Sequence, residues 1–157
     1  MALSYSTGLV QGILGTQGLS QLLSAFVIDI YSNATVRPAS ADDPVPFGSV
    51  LLGTVTKGGV LVSGDPSLYW LSFGAPQGRA IDKSDTELWQ FTAGVVPSGA
   101  LASWFRLRLV ADTPGATGFR IDGSVGPGIN DDAQLSDTAV VQGNMYTFNR
   151  FRLSWFN

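Results

Sequence analysis

The chain contains no cysteine and no histidine, and only 13% of its 157 residues are charged. These absences exclude Ser-His-Asp and Cys-His catalysis, disulfides, iron–sulfur clusters and zinc sites with His or Cys ligands. The 12 acidic residues outnumber nine basic ones, which gives a net charge of −3. A general nucleic-acid binder needs a cationic surface, so we expect no nucleic-acid partner.

A long uninterrupted apolar run is also missing. Residues 8–28 are apolar on balance, but Gln11, Gln17 and Gln21 and several hydroxyl residues interrupt them. A membrane span needs about 20 predominantly apolar residues. An export signal opens with positive charge, whereas the first basic residue here is Arg37. We therefore expect no membrane span, no export signal and no membrane partner.

The residues that are abundant favour strands and turns. The chain has 19 Gly and eight Pro with many Ser, Thr and Asp, while Glu, Lys and Met are scarce. Val, Ile and aromatic residues fit pleated strands, and Gly, Pro and Asp supply the turns between them. This composition predicts a mainly β protein.

Alternating apolar residues locate several strands. The apolar positions that recur at every second residue include Phe26, Ile28, Ile30, Phe105, Leu107 and Leu109. Such a period predicts strands with one face toward the core. Residues 33–48, with three prolines, are predicted as a loop, and Lys57-Gly58-Gly59 as a hairpin turn into a strand at 60–62.

The last strand changes phase. Tyr146 and Phe148 share one face, whereas Phe151 and Leu153 occupy the other. One extra residue in a strand produces this shift, so a β-bulge is predicted near Asn149.

Eight or nine short strands separated by turns predict an antiparallel β-sandwich, with jelly-roll connections as one version of it. Residues 26–157 are assigned to this single domain. Residues 1–25 are predicted to form an arm with short helices, because glycines punctuate a short leucine stripe. The arm either packs on a neighbouring subunit or caps the end of its own sandwich. Its candidate interface residues are Leu9, Ile13, Leu14, Leu19, Leu22 and Leu23.

Two acidic segments are the candidates for chemistry. Asp82, Asp85 and Glu87 lie within six residues, and residues 130–132 read Asn-Asp-Asp. Paired carboxylates serve glycosidases and Ca²⁺ sites, but neither spacing matches an EF-hand. Asp is also the usual residue of solvated turns. The glycines at 123–128 fit no nucleotide-binding motif. We therefore assign no catalytic, cofactor or metal residue and expect a protein that is not an enzyme.

Five arginines are predicted on strand positions that face away from the core: Arg106, Arg108, Arg120, Arg150 and Arg152. Each is able to pair across strands with a carboxylate, the candidates being Asp29, Asp112 and Asp122. The alternative is a partner surface, since Arg is favoured at interfaces. Four aromatic residues present a similar choice between a sugar platform and core packing: Tyr69, Trp70, Trp104 and Tyr146.

Nearly the whole chain resembles a family of small structural proteins of tailed-bacteriophage virions. The matching segments are VIDIYS (27–32), PASAD (38–42), GSVLLGTVT (48–56), LSFGAP (71–76), ELW (87–89), ASWFR (102–106) and RIDGSVG (120–126), with STGL (6–9) and ILG (13–15) before them. The resemblance implies a head decoration or cement protein, without catalytic residues, that binds the major capsid protein on the head surface.

The expected partners are the major capsid protein and copies of the chain itself, arranged as a homo-oligomer or a symmetric lattice on the particle. One alternative is a tail or fibre-attachment component of the same virion. Another, from a different class, is a carbohydrate-binding β-sandwich. Copy number per particle separates head from tail, and glycan binding that depends on Trp70 or Trp104 would support the third.

Overall fold

The structure is a computed structural model that describes residues 3–14, 24–32, 37–62, 65–77, 80–112 and 118–154. This part of the chain contains one α-helix, α1 (Thr7–Leu14), a 3₁₀ turn (Pro66–Leu68) and eleven strands. The strands are β1 (Ser4–Tyr5), β2 (Phe26–Ser32), β3 (Val50–Lys57), β4 (Ala80–Asp82), β5 (Trp89–Thr92), β6 (Ala100–Leu101), β7 (Trp104–Leu109), β8 (Arg120–Gly126), β9 (Ala133–Leu135), β10 (Ala139–Val140) and β11 (Met145–Ser154). The mainly β prediction is confirmed.

Seven strands close into a barrel, in the order β8-β7-β2-β3-β5-β11-β9 and back to β8. All neighbours in this ring are antiparallel except β8 and β9, which run parallel through Val125↔Ala133 and Gly126↔Gln134. The predicted sandwich or jelly roll is therefore wrong, because the hydrogen-bonded ring leaves no two separate facing sheets. β1 and β4 extend the barrel wall from β8 and β11.

The two ends of the barrel differ. At one end β2 finishes, β3 begins, and the two-stranded ribbon of β6 and β10 is attached; we call it the β6 end. At the other end β2 begins, β3 finishes, and α1 follows β1; we call it the α1 end. A seven-residue strand such as β2 rises about 20 Å between them.

Aromatic side chains fill the barrel. The Phe151 ring lies 5.3 Å from Trp89, 5.0 Å from Phe105 and 5.9 Å from Phe148, measured between ring centroids. Bulky rings fit because glycines leave space beside them: a Cβ on Gly123 would lie 2.5 Å from the Phe105 ring. The core is thus inside the ring of strands.

The alternating pattern is confirmed for β2 and β7, whose residues Phe26, Ile28, Ile30, Phe105 and Leu107 belong to the core. The bulge is also confirmed. The register between β11 and β9 shifts between Phe148 and Arg150, so that Asn149 is the additional residue. Tyr146, Phe148, Phe151 and Leu153 are all buried despite the phase change.

The turn after β3 is confirmed, but the strand predicted at 60–62 is wrong. Gly58 and Gly59 have φ of 63° and 72°, values that favour glycine. Residues 60–62 pair with no strand, and Leu61 is 80% exposed. Three apolar residues in a row therefore do not define a strand when no ladder partner is nearby.

The segment from β1 to α1 is tied to the barrel. Ser6 begins the helix, since its Oγ accepts the Leu9 N–H at 3.3 Å, and it also accepts the Arg120 N–H of β8 at 2.9 Å. Asp42 adds a second cap by accepting the Thr7 N–H at 2.9 and 3.0 Å. Within the described residues no helix is long and apolar enough to cross a membrane.

Candidate functional site

A layer of charged side chains lies on the outer face of β2, β7 and β8. At its centre Arg106 donates to Asp122 from Nε at 2.8 Å and from Nη2 at 2.7 Å. The Arg106 side chain is 5% exposed and that of Asp122 is fully buried. Burial alone would lower the pKa of Arg106, but the hydrogen bonds and charge of Asp122 outweigh burial and raise it. Burial raises the pKa of the Asp122 carboxyl, and the hydrogen bonds and charge of Arg106 oppose this rise. The two-point contact is thus a salt bridge shielded from solvent.

Two further ion pairs flank this one. Arg120 donates to Asp112 from Nε at 2.8 Å and from Nη2 at 3.1 Å. Arg108 pairs with Asp29, which also accepts a hydrogen bond from the Thr54 hydroxyl at 2.7 Å. Arg108 and Arg120 lie directly opposite each other on adjacent strands. The separate carboxylates offset the repulsion that two facing like charges would produce.

The remaining two arginines lie on β11. Arg152 forms a two-point contact with Asp82 at 2.7 and 2.8 Å, and both side chains are more than a third exposed. Arg150 donates to the Ile129 carbonyl at 2.8 Å. Thus, in their present arrangement, Arg106 and Arg120 do not offer a guanidinium to a partner, whereas Arg152 lies at the surface.

Pairing with Asp29, Asp112 and Asp122, one of the two predicted roles, is confirmed for Arg108, Arg120 and Arg106 respectively. The Arg108 and Arg106 pairs join strands as predicted, whereas Asp112 lies beyond the end of β7. The covering of these pairs was not predicted. Arg37 reaches over the layer to the Asp122 carbonyl at 2.9 Å, and the following segment is held by a hydrogen bond from the Ala41 N–H to Ser4 Oγ. Outward strand positions are consequently buried here.

The acidic segments are used within the fold. Burial alone would raise the pKa of Glu87, but hydrogen bonds from Lys57 and the Ser72 N–H lower it below its usual value. Hydrogen bonds from Arg152 lower the pKa of Asp82. Both groups are therefore ionised at neutral pH and favour no role as a proton donor.

The carboxylates of the second acidic segment accept hydrogen bonds from nearby backbone N–H groups. Asp131 accepts the Gly128 N–H at 3.0 Å, and Asp132 accepts the Ser124 N–H at 2.9 Å. Among the residues that the structure describes, no three acidic side chains are grouped so that they could hold a metal ion. The loop contacts are those of Asp in turns.

Three of the four aromatic candidates are buried. Tyr69, Trp104 and Tyr146 are at most 5% exposed. Trp104 stacks on Tyr31 with ring centroids 4.3 Å apart, outside the barrel but beneath the surface. Only Trp70 of the four is accessible in part. The four do not form a shared platform for a sugar.

Burial of Tyr31 and Tyr5 has a measurable consequence at high pH. Burial, with the nearby Asp29 and Asp132 respectively, raises the pKa of each phenol from 10.0 to about 12. We expect the tyrosinate absorbance to show a component near pH 12 that is reduced in Tyr5→Phe and in Tyr31→Phe. A folded-state pKa above the unfolded one stabilises the fold below pH 10, and this stabilisation disappears as pH approaches 12. A titration complete by pH 11 in the folded protein would contradict this.

The predicted arm residues have different positions. Leu9 is fully buried in the core, and Ile13 packs against it while partly buried. Leu14 is the last residue of α1. Leu19, Leu22 and Leu23 lie outside the described residues.

An apolar surface at the β6 end was not predicted. It consists of Val95, Leu101 and Val141, which are 83%, 57% and 58% exposed; we call it the end surface. Backbone hydrogen bonds connect the segments, because Ala93 bonds to both Gly143 and Asn144, and β6 pairs with β10. Large apolar residues inside Gly- and Pro-rich turns, as in Gly-Val-Val-Pro at 94–97, are the only sequence sign of it.

A second unpredicted feature is a groove of about 300 Å³ at the α1 end, which is lined mainly by apolar residues together with Ser24 and Ser72. Its lining includes Ala25, Trp70, Leu71, Phe73, Pro76 and Ile81. Leu71 bonds through its N–H to the Phe26 carbonyl at 3.0 Å, which places the groove beside the start of β2. We call it the Trp70 groove.

Comparison of the chain with protein-family models, curated proteins and solved structures finds no match.

Proposed function

We propose that this chain is a non-enzymatic structural protein of a tailed-bacteriophage particle, and that it decorates the head shell by binding the major capsid protein. The proposal starts from the resemblance of nearly the whole chain to small virion proteins. The contacts above support it, because the acidic residues Asp82, Glu87, Asp131 and Asp132 form ion pairs or hold turns.

The end surface is the observation that carries the proposal. Exposed apolar residues grouped at one end of a domain are typical of protein-binding surfaces. Val95, Leu101 and Val141 come from three turn or edge segments that backbone hydrogen bonds hold together. Such a surface is already in place before binding, so little conformational entropy is lost when a shell covers it.

The internal pairing of the arginines indicates which kind of contact the chain makes with the head shell. Because Arg106 and Arg120 are internally paired, the contact with the shell is expected to be mainly apolar rather than ionic. The Debye length is about 10 Å at 0.1 M ionic strength, so added salt weakens attraction between exposed charges. Apolar contacts persist or strengthen in sulfate or phosphate.

Changing both Val95 and Leu101 to Asp is expected to abolish binding of the chain to head shells assembled without it. The variant should remain folded, because both side chains are more than half exposed. Co-sedimentation with the shells measures binding. Leu61→Asp is the matched control, since Leu61 is 80% exposed but follows β3 at the α1 end.

Two outcomes would contradict this proposal. One is a double variant that binds shells as the native chain does, and the other is native protein released from shells by moderate salt. The stoichiometry against the major capsid protein in purified particles then tests the head position. Hundreds of copies support the head lattice, whereas a dozen or fewer indicate a tail component.

A further inference from the structure

Phe47 is held in solvent by a restrained turn. Phe47 is fully exposed, more so than any other large apolar residue that the structure describes. The turn is closed by a hydrogen bond from the Ser49 N–H to the Pro46 carbonyl at 3.1 Å, and Gly48 follows with φ of 88°. An aromatic side chain presented on a pre-ordered turn loses little entropy on binding, and such residues anchor protein interfaces by filling pockets.

The Trp70 groove has the properties of a receptor for one aromatic side chain. Its volume of about 300 Å³ is at the small end of ligand-binding clefts. Trp70 and Phe73 supply aromatic surface that favours stacked or edge-on contact with another ring. Pro76 is exposed on its rim.

Phe47 and the groove are at opposite ends of one molecule. Phe47 precedes β3, whose first residue Val50 pairs with Ser32 at the end of β2. The groove lies beside Phe26 at the start of β2. The length of β2 separates them by about 20 Å. Phe47 therefore cannot fill the groove of its own chain, but it is accessible to the groove of another.

We propose that Phe47 of one copy inserts into the Trp70 groove of the next copy, so that the chain associates head to tail. Two antiparallel copies make this contact twice and form a two-fold dimer, whereas copies that make it only once with each neighbour continue into a ring or an open row. This self-association goes beyond the attachment to head shells and needs no shell.

Apolar residues around both surfaces enlarge the contact. Val45 and Leu51 flank Phe47 and are 36% and 47% exposed, and Leu68 lies two residues before Trp70 and is 62% exposed. A stable interface needs about 800 Å² from each partner, which one phenylalanine does not supply. These exposed neighbours in the sequence are the candidates for the additional apolar area.

Sedimentation analysis of the purified full chain over a concentration series tests the proposal. The native protein should form dimers or larger species. Phe47→Ser and Pro76→Glu should each weaken association by about tenfold or more. Both residues are exposed, so thermal unfolding should show native stability. Ile129→Ser is the control and should associate as the native chain does.

Mixing the two variants tests whether Phe47 and the Trp70 groove bind each other. The Phe47→Ser protein retains its groove, and the Pro76→Glu protein retains its phenylalanine. An equimolar mixture should therefore form a one-to-one dimer that grows no further. A native chain that stays monomeric overturns the proposal, as does a mixture that stays monomeric. If the Phe47→Ser variant self-associates as the native chain does but no longer binds shells, Phe47 contacts a shell protein and the proposed self-association is refuted.

Discussion

Arg106→Met is expected to lower the free energy of unfolding by about 3–5 kcal/mol, the usual cost of breaking a buried ion pair. The substitution removes both hydrogen bonds to Asp122 and leaves a fully buried carboxylate without its two-point partner. Removing one partner costs far more than the pair contributes net, because the uncompensated charge is still shielded from water.

Urea unfolding at neutral pH measures this effect, and Arg152→Met is the matched control. Arg152 has the same two-point geometry with Asp82, but its side chain is 45% exposed, so its loss should be much smaller. Combining Arg106→Met with Asp122→Leu should recover part of the stability, since no buried charge then remains. Equal losses of stability in the Arg106 and Arg152 variants would contradict the conclusion that burial makes the Arg106–Asp122 pair costly to break.

The same variants separate the two roles predicted for the arginines. If the guanidinium of Arg106 acts only within the fold, a chain with Arg106→Met binds shells normally under conditions where it is still folded. Loss of shell binding at unchanged stability would instead indicate that a partner recruits the arginine. Arg108 is the more accessible neighbour, with a side chain 25% exposed.

The strands could be predicted because their signal is local. Phe26, Ile28 and Ile30 repeat every second residue, and this period depends only on the pleat. The bulge at Asn149 follows from the same logic, since one extra residue reverses the faces. The strand predicted at 60–62 fails because the pattern contains no information on whether a partner strand is available.

Closure of the barrel could not be predicted from that periodicity. A sandwich and a barrel both require apolar residues on one face of each strand. The distinction depends here on β9, three residues that pair with β8 on one side and β11 on the other. A glycine- and aspartate-rich loop precedes β9, so the sequence indicates a turn there but not which strands it joins.

The candidate surfaces were missed for a related reason. Sequence patterns identify residues that a fold buries, whereas Phe47 and Val95 are informative because the fold leaves them uncovered. Conversely, Trp104 precedes the core residue Phe105 and lies outside the barrel, yet stacking on Tyr31 buries it. Exposure at such positions depends on distant segments, which periodicity does not report.

Leu9→Ala is expected to destabilise the chain by about 2–5 kcal/mol, the range for truncating a buried leucine. Leu9 is fully buried in the core cluster although it belongs to the segment predicted as an arm. The Ser6 hydroxyl supports this position, because it caps the helix while donating to the Gly118 carbonyl at 2.6 Å. Residues 3–14 thus contribute to folding as well as to any assembly.

Val10→Ala is the matched control, because Val10 follows Leu9 in α1 but is 41% exposed. Its effect should stay within about 0.5 kcal/mol, as for most surface positions. Thermal or urea unfolding compares the two.

Deleting residues 2–18 should then give an unfolded or insoluble product, since β1, the Ser6 cap and Leu9 are lost together. A folded, soluble deletion variant that fails only to bind shells would instead support an arm that serves assembly alone.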